Sequence, residues 1–160
     1  MPARARTAKK TTVPETTLLD EVGERLLGAV VSNADDLESK LVFADWLVER
    51  GDPRGEFSLV QCALGRPLQG AKGTARRRHL FEADPPELKA REAKLLKTWA
   101  KTWLLPIRPF IRTWRWDAGF VSAIVADTTK FLEGRELIFA TTPLTEVELT
   151  AMKGGQLGSI

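Results

Sequence analysis

The stretch Leu41–Phe57, which reads LVFADWLVERGDPRGEF, contains the end of one helix and the start of another. Gly51 suits the left-handed residue that follows many helices. Asp52 and Pro53 then form the usual pair of an N-cap and a first helical residue. We therefore expect one helix to end near Glu49 and the next to begin at Pro53.

Further helices are predicted on both sides of this stretch, because apolar residues recur there every three or four positions. The first helix carries Leu19, Val22, Leu26, Leu27 and Val30. The second carries Leu37, Leu41, Ala44, Leu47 and Val48, with Asn33 or Asp35 as its expected N-cap. The third carries Phe57, Val60, Gln61 and Leu64. A longer helix is expected from Pro85 to about Leu104, after a polar loop over residues 68–84.

The chain becomes β-favouring after Ile111. One strand is expected from Trp114 to Val125, with a bend or bulge at residues 117–119. A helix over residues 131–139 follows, with Asp127 or Thr128 as its cap, and Leu144–Leu149 alternates as a second strand. This order predicts a parallel strand pair with a right-handed crossover. The fold class is thus α+β, with about four bundled N-terminal helices before a β-α-β unit.

These patterns divide the chain into a single domain with two tails. Residues 1–16 are expected to be a disordered basic tail, and residues 151–160 a flexible C-terminal tail. The domain spans residues 17–150, with a helical part over 17–110 and a β-α-β part over 111–150. The chain has 24 basic and 21 acidic residues, and the basic excess lies in the first twelve residues, which contain no acid.

Composition restricts where the protein functions. The 160 residues are 43% hydrophobic, as in ordinary globular domains. Cys62 is the only cysteine, which excludes an intrachain disulfide and favours a reducing compartment. No apolar run suits a signal peptide or a membrane span. We expect a cytoplasmic protein without a membrane partner, and export without a cleaved signal stays open.

The segment quoted first resembles the hallmark of the bacterial repeat-companion domain family of myxobacteria and planctomycetes, roughly LVYADWLEERGDPRGEFI followed by LQ and CAL. The matching motif residues include Asp45, Trp46, Gly51, Asp52, Pro53, Arg54, Gly55 and Glu56. Here the later part reads LVQCAL, with one extra residue before the glutamine. Weaker similarities cover Glu87–Leu105, Trp116–Val121 and Phe131–Leu149.

The resemblance implies a capping or recognition role, because this domain often precedes leucine-rich repeats, and it implies no enzymatic activity. This chain has at most one repeat-like unit, which favours a free-standing adaptor or an inhibitor of a partner. A parallel strand pair leaves an open edge, which the next repeat of an array would cover. Here either the C-terminal tail or another chain is expected to cover it.

The carboxylates of the quoted stretch and the single cysteine are candidate catalytic groups. Asp45 and Glu49 share a helix face, but Arg50 and Arg54 lie among the acids, so we interpret these residues as caps and ion pairs. Asp45 is expected to pair with Arg54 or to accept backbone N–H bonds. Cys62 with His79 is too small a set for a zinc site. We expect no enzyme and no cofactor; an enzyme centred on Cys62 or Asp45 is the least favoured hypothesis.

Tryptophans and basic residues alternate between residues 99 and 116. In such a pattern the tryptophans can stack on the bases of single-stranded nucleic acid. The simpler interpretation is that the tryptophans pack into the core, while the basic side chains lay their aliphatic parts along it and keep their charged ends in water. An exposed tryptophan would instead anchor a protein partner. The predicted partner-binding residues are Trp114, Trp116, Arg112, Arg115, Arg76, Arg77 and Arg78. The favoured function is a protein-interaction module, and the alternative is nucleic-acid binding through the basic tail and the Arg76–Arg78 loop.

Overall fold

The computed structural model describes residues 19–65 and 83–151, which form an α+β fold, as predicted. The described residues contain five α-helices and a three-stranded mixed sheet. The elements are α1 (Glu21–Ser32), α2 (Leu37–Glu49), α3 (Pro53–Gly65), α4 (Pro85–Leu104), a 3-10 turn (Arg108–Phe110), β1 (Thr113–Asp117), β2 (Phe120–Asp127), α5 (Thr128–Thr141) and β3 (Glu146–Thr150). The predicted N-terminal tail, residues 152–160 and most of the predicted 68–84 loop lie outside the described residues.

The turn between α2 and α3 has the expected caps. Gly51 adopts a φ of +71°, and the Asp52 carboxylate accepts the backbone N–H of Arg54 at 2.9 Å. The helix begins at Pro53, as predicted. A Cβ on Gly55 would lie 2.7 Å from the carbonyl oxygen of Ala44, so glycine at this position allows α2 and α3 to pack closely.

Two details of the helices differ from the prediction. The N-cap of α2 is Asp36, not Asn33 or Asp35, because Asp36 directly precedes the first helical residue. Its carboxylate accepts the backbone N–H of Glu38 at 3.2 Å and the hydroxyl of Ser39 at 2.5 Å. In α1, Val22 of the predicted apolar stripe is exposed, whereas Leu19, Leu26 and Leu27 pack against the core cluster that contains Val30.

The single bent strand predicted after Ile111 is wrong, because the chain forms an antiparallel hairpin of β1 and β2. Ala118 (φ +50°) and Gly119 (φ +84°) form its two-residue turn, and positive φ at both positions is the type I′ pattern. Side chains of α3 hold this turn. The Ser58 hydroxyl donates to the carbonyl of Ala118 at 2.6 Å, and the amide N–H of Gly119 donates to the Gln61 side chain at 2.8 Å.

The strands run in the order β1-β2-β3, and β2 and β3 pair in parallel with α5 between them in sequence. Aromatic contacts connect this sheet to the helices. Phe57 of α3 stacks on Trp103 with ring centroids 5.0 Å apart and meets Trp116 of β1 edge-on at 5.3 Å. Phe43 of α2 contacts Phe120 of β2 at 5.8 Å. The helical part and the sheet therefore share one core.

Candidate functional site

The strand β3 forms one edge of the sheet. It pairs with β2 on one side, and within the described parts of the chain no strand pairs with its other side. An unpaired strand edge presents backbone N–H and C=O groups that bind another extended chain. The order β1-β2-β3 makes β1 the other edge strand, so β3 is one of two strand edges that could take part in recognition.

One face of β3 presents exposed apolar side chains beside this edge. Val147 is in register with Ile124, and Leu149 is in register with Ala126. Residues in register on neighbouring strands point to the same face of a sheet. Ile124 and Ala126 belong to the core cluster that includes Phe131 of α5, so Val147 and Leu149 point toward the helix side. They are nevertheless 36% and 45% exposed, because nothing described covers them beyond β3.

A stripe along α5 extends this apolar surface. Helical spacing places Thr128, Leu132, Arg135 and Phe139 on one face. The Thr128 hydroxyl donates to the carbonyl of Thr150 at 3.2 Å, so the stripe begins beside the end of β3. Leu132 is 53% exposed and Phe139 is 50% exposed. Two large apolar side chains of α5 therefore flank the free edge.

We call this region the edge surface. It consists of the unpaired side of β3 and the exposed apolar side chains Leu132, Phe139, Val147 and Leu149. The opposite face of β3 is acidic, with exposed Glu146 and Glu148. Glu146 pairs with Arg115 of β1 at 3.2 Å, whereas Glu148 makes no ion pair with any described residue. The edge thus has an apolar side and an anionic side.

The tryptophans predicted to bind a partner pack against the core cluster and are half-buried. Trp116 contacts Trp103 edge-on at 6.2 Å, and the Arg108 guanidinium lies 5.1 Å from the centre of the Trp114 ring. Their shared face on β1 is as predicted from the strand periodicity. Their role as partner anchors stays a prediction.

The arginines predicted to bind a partner are exposed on and beside β1. Arg112 forms a two-contact ion pair with Asp127, at 2.6 and 3.1 Å, and Arg115 pairs with Glu146. These contacts position both guanidinium groups along the sheet, close to the acidic face of β3. The predicted cluster Arg76–Arg78 lies outside the described residues.

The ionisable residues of the Asp45–Glu56 region have structural contacts. Glu56 pairs with Arg91 of α4 at 3.1 Å, and Asp52 caps α3. The Arg50 guanidinium lies 3.8 Å from the centre of the Trp46 ring and pairs with Asp20 at 2.9 Å. The pairing of Asp45 with Arg54 stays a prediction.

Arg54 lines a cavity of about 200 Å³ between the helices and the sheet. Its Nε is buried and has no hydrogen-bond partner in the described structure. Burial lowers the pKa of the Arg54 guanidinium, and the nearby Asp52 carboxylate acts against this shift. Sequence reasoning missed this cavity, because its lining comes from segments that are far apart in the chain.

Among the described residues, no three His, Cys, Asp or Glu side chains are grouped closely enough to hold a metal ion. Cys62 is buried in α3, and its cluster includes Leu41 and Leu59. No helix in the described ranges is long and apolar enough to cross a membrane.

Comparison with known proteins found no protein family, no curated protein and no solved structure that matches this chain. The similarity of residues 41–57 to the repeat-companion hallmark therefore stays a prediction.

Proposed function

We propose that this protein is a non-catalytic interaction module that binds another protein at the edge surface. The observation that carries the proposal is the unpaired side of β3, flanked by four exposed apolar side chains. Open strand edges are usually shortened, charged or covered, since they promote aggregation. An edge that keeps exposed apolar residues beside it is typical of a surface that another chain covers.

The two faces of β3 define the partner's chemistry. A strand added to this edge places alternate side chains on opposite faces of the sheet. Residues on one face would meet Val147 and Leu149, and residues on the other would meet Glu146 and Glu148. The proposed partner therefore presents a strand in which apolar residues alternate with lysine or arginine.

The order β2-α5-β3, with a parallel strand pair, supports the expected similarity to the end of a leucine-rich-repeat array. In such an array, the next repeat adds a strand to the edge and packs its helix beside the previous helix. Leu132 and Phe139 are exposed on α5, and this exposure supports the proposal that a helix of another unit packs there. Under this proposal the partner supplies the next unit, and a bacterial cytoplasmic regulator that sequesters its target is the role we favour.

The proposal is tested by isolating complexes of the tagged full chain from lysates of its source cells. The double variant Leu132→Glu/Leu149→Glu places two charges on the edge surface and is expected to lose a stoichiometric partner, with at least about tenfold less recovered. Both substituted side chains, Leu132 and Leu149, are exposed, so the double variant is expected to keep the fold of the wild-type protein.

Leu105→Glu is the matched control, because Leu105 is 71% exposed at the end of α4 and lies outside the edge surface. It is expected to retain the partner. Equal recovery by wild type and the double variant would contradict the proposal. Light scattering of the purified chain shows whether a second copy of the chain occupies the edge surface. A second copy there would also contradict the proposal of a separate partner protein.

A second candidate function, nucleic-acid binding, is favoured by one face of α4. This helix presents the exposed lysines Lys89, Lys94, Lys97 and Lys101. Binding through such a face weakens steeply with added salt. This function is supported if single-stranded DNA binds the wild-type protein at low salt and does not bind the variant Lys94→Glu/Lys97→Glu. It is dismissed if the wild-type protein does not bind this DNA at low salt.

A further inference from the structure

We infer that the cavity between the helices and the sheet binds an uncharged molecule the size of one aromatic ring. None of the apolar side chains of the edge surface lines this cavity, so its ligand is separate from the proposed protein partner. Two features of the cavity point to this ligand. They are its volume, enclosed mainly by aromatic and aliphatic side chains, and the balanced charges in its lining.

The cavity is larger than an ordinary packing defect. Protein interiors are close-packed, and few of their voids are larger than a water molecule. This cavity has a volume of about 200 Å³. A dry cavity of about 150 Å³ holds one benzene molecule, so one ring with a small substituent fits here.

The walls of the cavity are suited to a ring. They include Trp99 and Trp103 of α4, Trp116 of β1 and Phe43 of α2. Trp103 and Trp116 meet edge-on at 6.2 Å, and both contact the buried ring of Phe57. Neither tryptophan can therefore rotate into the cavity without losing a contact in the core. The walls keep the space open and offer a ligand ring both faces and edges of aromatic groups.

The charges in the lining are balanced. Among the described residues that line the cavity, Asp52 and Arg54 are the only charged ones. They have opposite charges near the start of α3, and the Asp52 carboxylate acts electrostatically on the Arg54 guanidinium. A charged ligand would be attracted by one of these groups and repelled by the other, and it would also lose its hydration. An uncharged ligand avoids both costs.

Two threonines of the lining need no hydrogen bond from a ligand. The hydroxyl of Thr141 donates to the carbonyl of Leu137 at 2.8 Å, and the hydroxyl of Thr142 donates to the carbonyl of Ile138. Because polar groups with partners gain little from a further polar contact, the ligand class is apolar single-ring compounds.

The cavity also reaches the surface. Pro106 is exposed, and Leu19, Thr102 and Thr141 of the lining are half-buried. The opening lies between the residue before α1 and the C-terminal ends of α4 and α5. A ligand of this size can therefore enter without unfolding of the core.

Toluene is the probe, and benzoate and benzylammonium are charged analogues of similar size. Nitrogen-15 NMR spectra of the full chain follow the indole N–H groups, because Trp99, Trp103 and Trp116 line the cavity and Trp114 does not. Toluene is expected to shift the three lining signals saturably and to bind at least about tenfold more tightly than either ion. No saturable shift of these signals, a shift of Trp114 alone, or an ion that binds as tightly as toluene would overturn the inference.

A variant that fills the cavity tests its position. Thr102→Met extends a longer side chain into the cavity from α4 and is expected to weaken toluene binding at least about tenfold. Thr98→Met is the matched control, because Thr98 is exposed one turn earlier on α4 and does not line the cavity. It is expected to bind toluene like wild type. Thr141→Met fills the cavity from α5 and keeps the test decisive if Thr102→Met fails to fold. A folded filling variant with wild-type affinity for toluene would refute the site.

Discussion

Gly119 shows how a single residue connects the helices to the sheet. Its φ is +84°, and a Cβ there would lie 2.4 Å from the Cβ of Ser58 in α3. Gly119→Ala is therefore expected to lower the free energy of unfolding by about 2–4 kcal/mol, from backbone strain and overpacking together. Urea unfolding followed by circular dichroism measures this change.

Gly28→Ala is the control for this prediction. Gly28 lies in α1 with open space around the Cβ position, so alanine is expected to raise the free energy of unfolding by up to about 1 kcal/mol. If Gly119→Ala were as stable as Gly28→Ala, the packing of the β1–β2 turn on α3 would be wrong.

The roles of some residues could be predicted from the sequence, and the roles of others could not. Gly51, Asp52 and Pro53 were predicted correctly as a cap and a helix start, because these roles depend on local backbone geometry. The position of Arg54 in the wall of the cavity was not predicted. It depends on Phe120 and on cavity walls from distant segments, and no local pattern encodes those contacts.

At the scale of elements, the N-cap of α1 gives a pH-dependent prediction. Asp20 accepts the backbone N–H of Gly23 at 2.8 Å and a hydrogen bond from Arg50 at 2.9 Å. Both hydrogen bonds hold the pKa of Asp20 below its ordinary 3.8, and the bond from the backbone of Gly23 has the larger effect. A carboxylate with a lowered folded-state pKa stabilises the fold above 3.8 and loses that contribution as pH falls through the lower value.

Asp20→Asn keeps a capping side chain but removes this charge. The variant is expected to be less stable than wild type near neutral pH, and the difference is expected to shrink as pH falls below 3.8. Thermal unfolding at a series of pH values measures the difference. A difference that stays constant down to strongly acidic pH would show that the charge of Asp20 has no role.

Elements were predictable where their signals are local. Helices α1 to α4 were expected from their periodicity and caps. The β1–β2 hairpin was missed because its turn reads Ala-Gly rather than the common Asn-Gly, and Ala118 adopts a positive φ that alanine rarely takes. Contacts from Ser58 and Gln61 hold the turn, so tertiary structure determines this element.

At the scale of the whole molecule, Phe57 joins the helical part to the sheet. Its ring is fully buried between Trp103 and Trp116. Phe57→Ala is expected to lower the free energy of unfolding by about 3–5 kcal/mol. Phe139→Ala removes a half-exposed ring that still contacts Phe131 at 5.8 Å, so it is expected to lower the free energy of unfolding by less than Phe57→Ala does.

The shared core also predicts one cooperative transition. Far-ultraviolet circular dichroism reports mainly the helices, and tryptophan fluorescence reports the contact between α4 and β1, so the two curves are expected to coincide. Two separate transitions would mean that the helical part and the sheet fold independently.

The open edge of the sheet was expected from the order of strand, helix and strand, because a parallel pair without a further strand exposes one side. Its apolar flank on α5 was missed. The signal was present as the seven-residue spacing of Leu132 and Phe139, but that spacing also fits a helix face buried in the core. Only the positions of β3 and α5 show that these side chains are exposed beside the edge.

Another protein that covers the edge surface would shield the backbone N–H groups of β3 from solvent. The most direct measurement is hydrogen–deuterium exchange of the isolated chain and of its purified complex. Binding at the edge surface is expected to slow exchange in β3 and in the Leu132–Phe139 segment of α5, with exchange in α4 unchanged. Protection confined to α4, with β3 exchanging equally in both samples, would contradict binding at the edge surface.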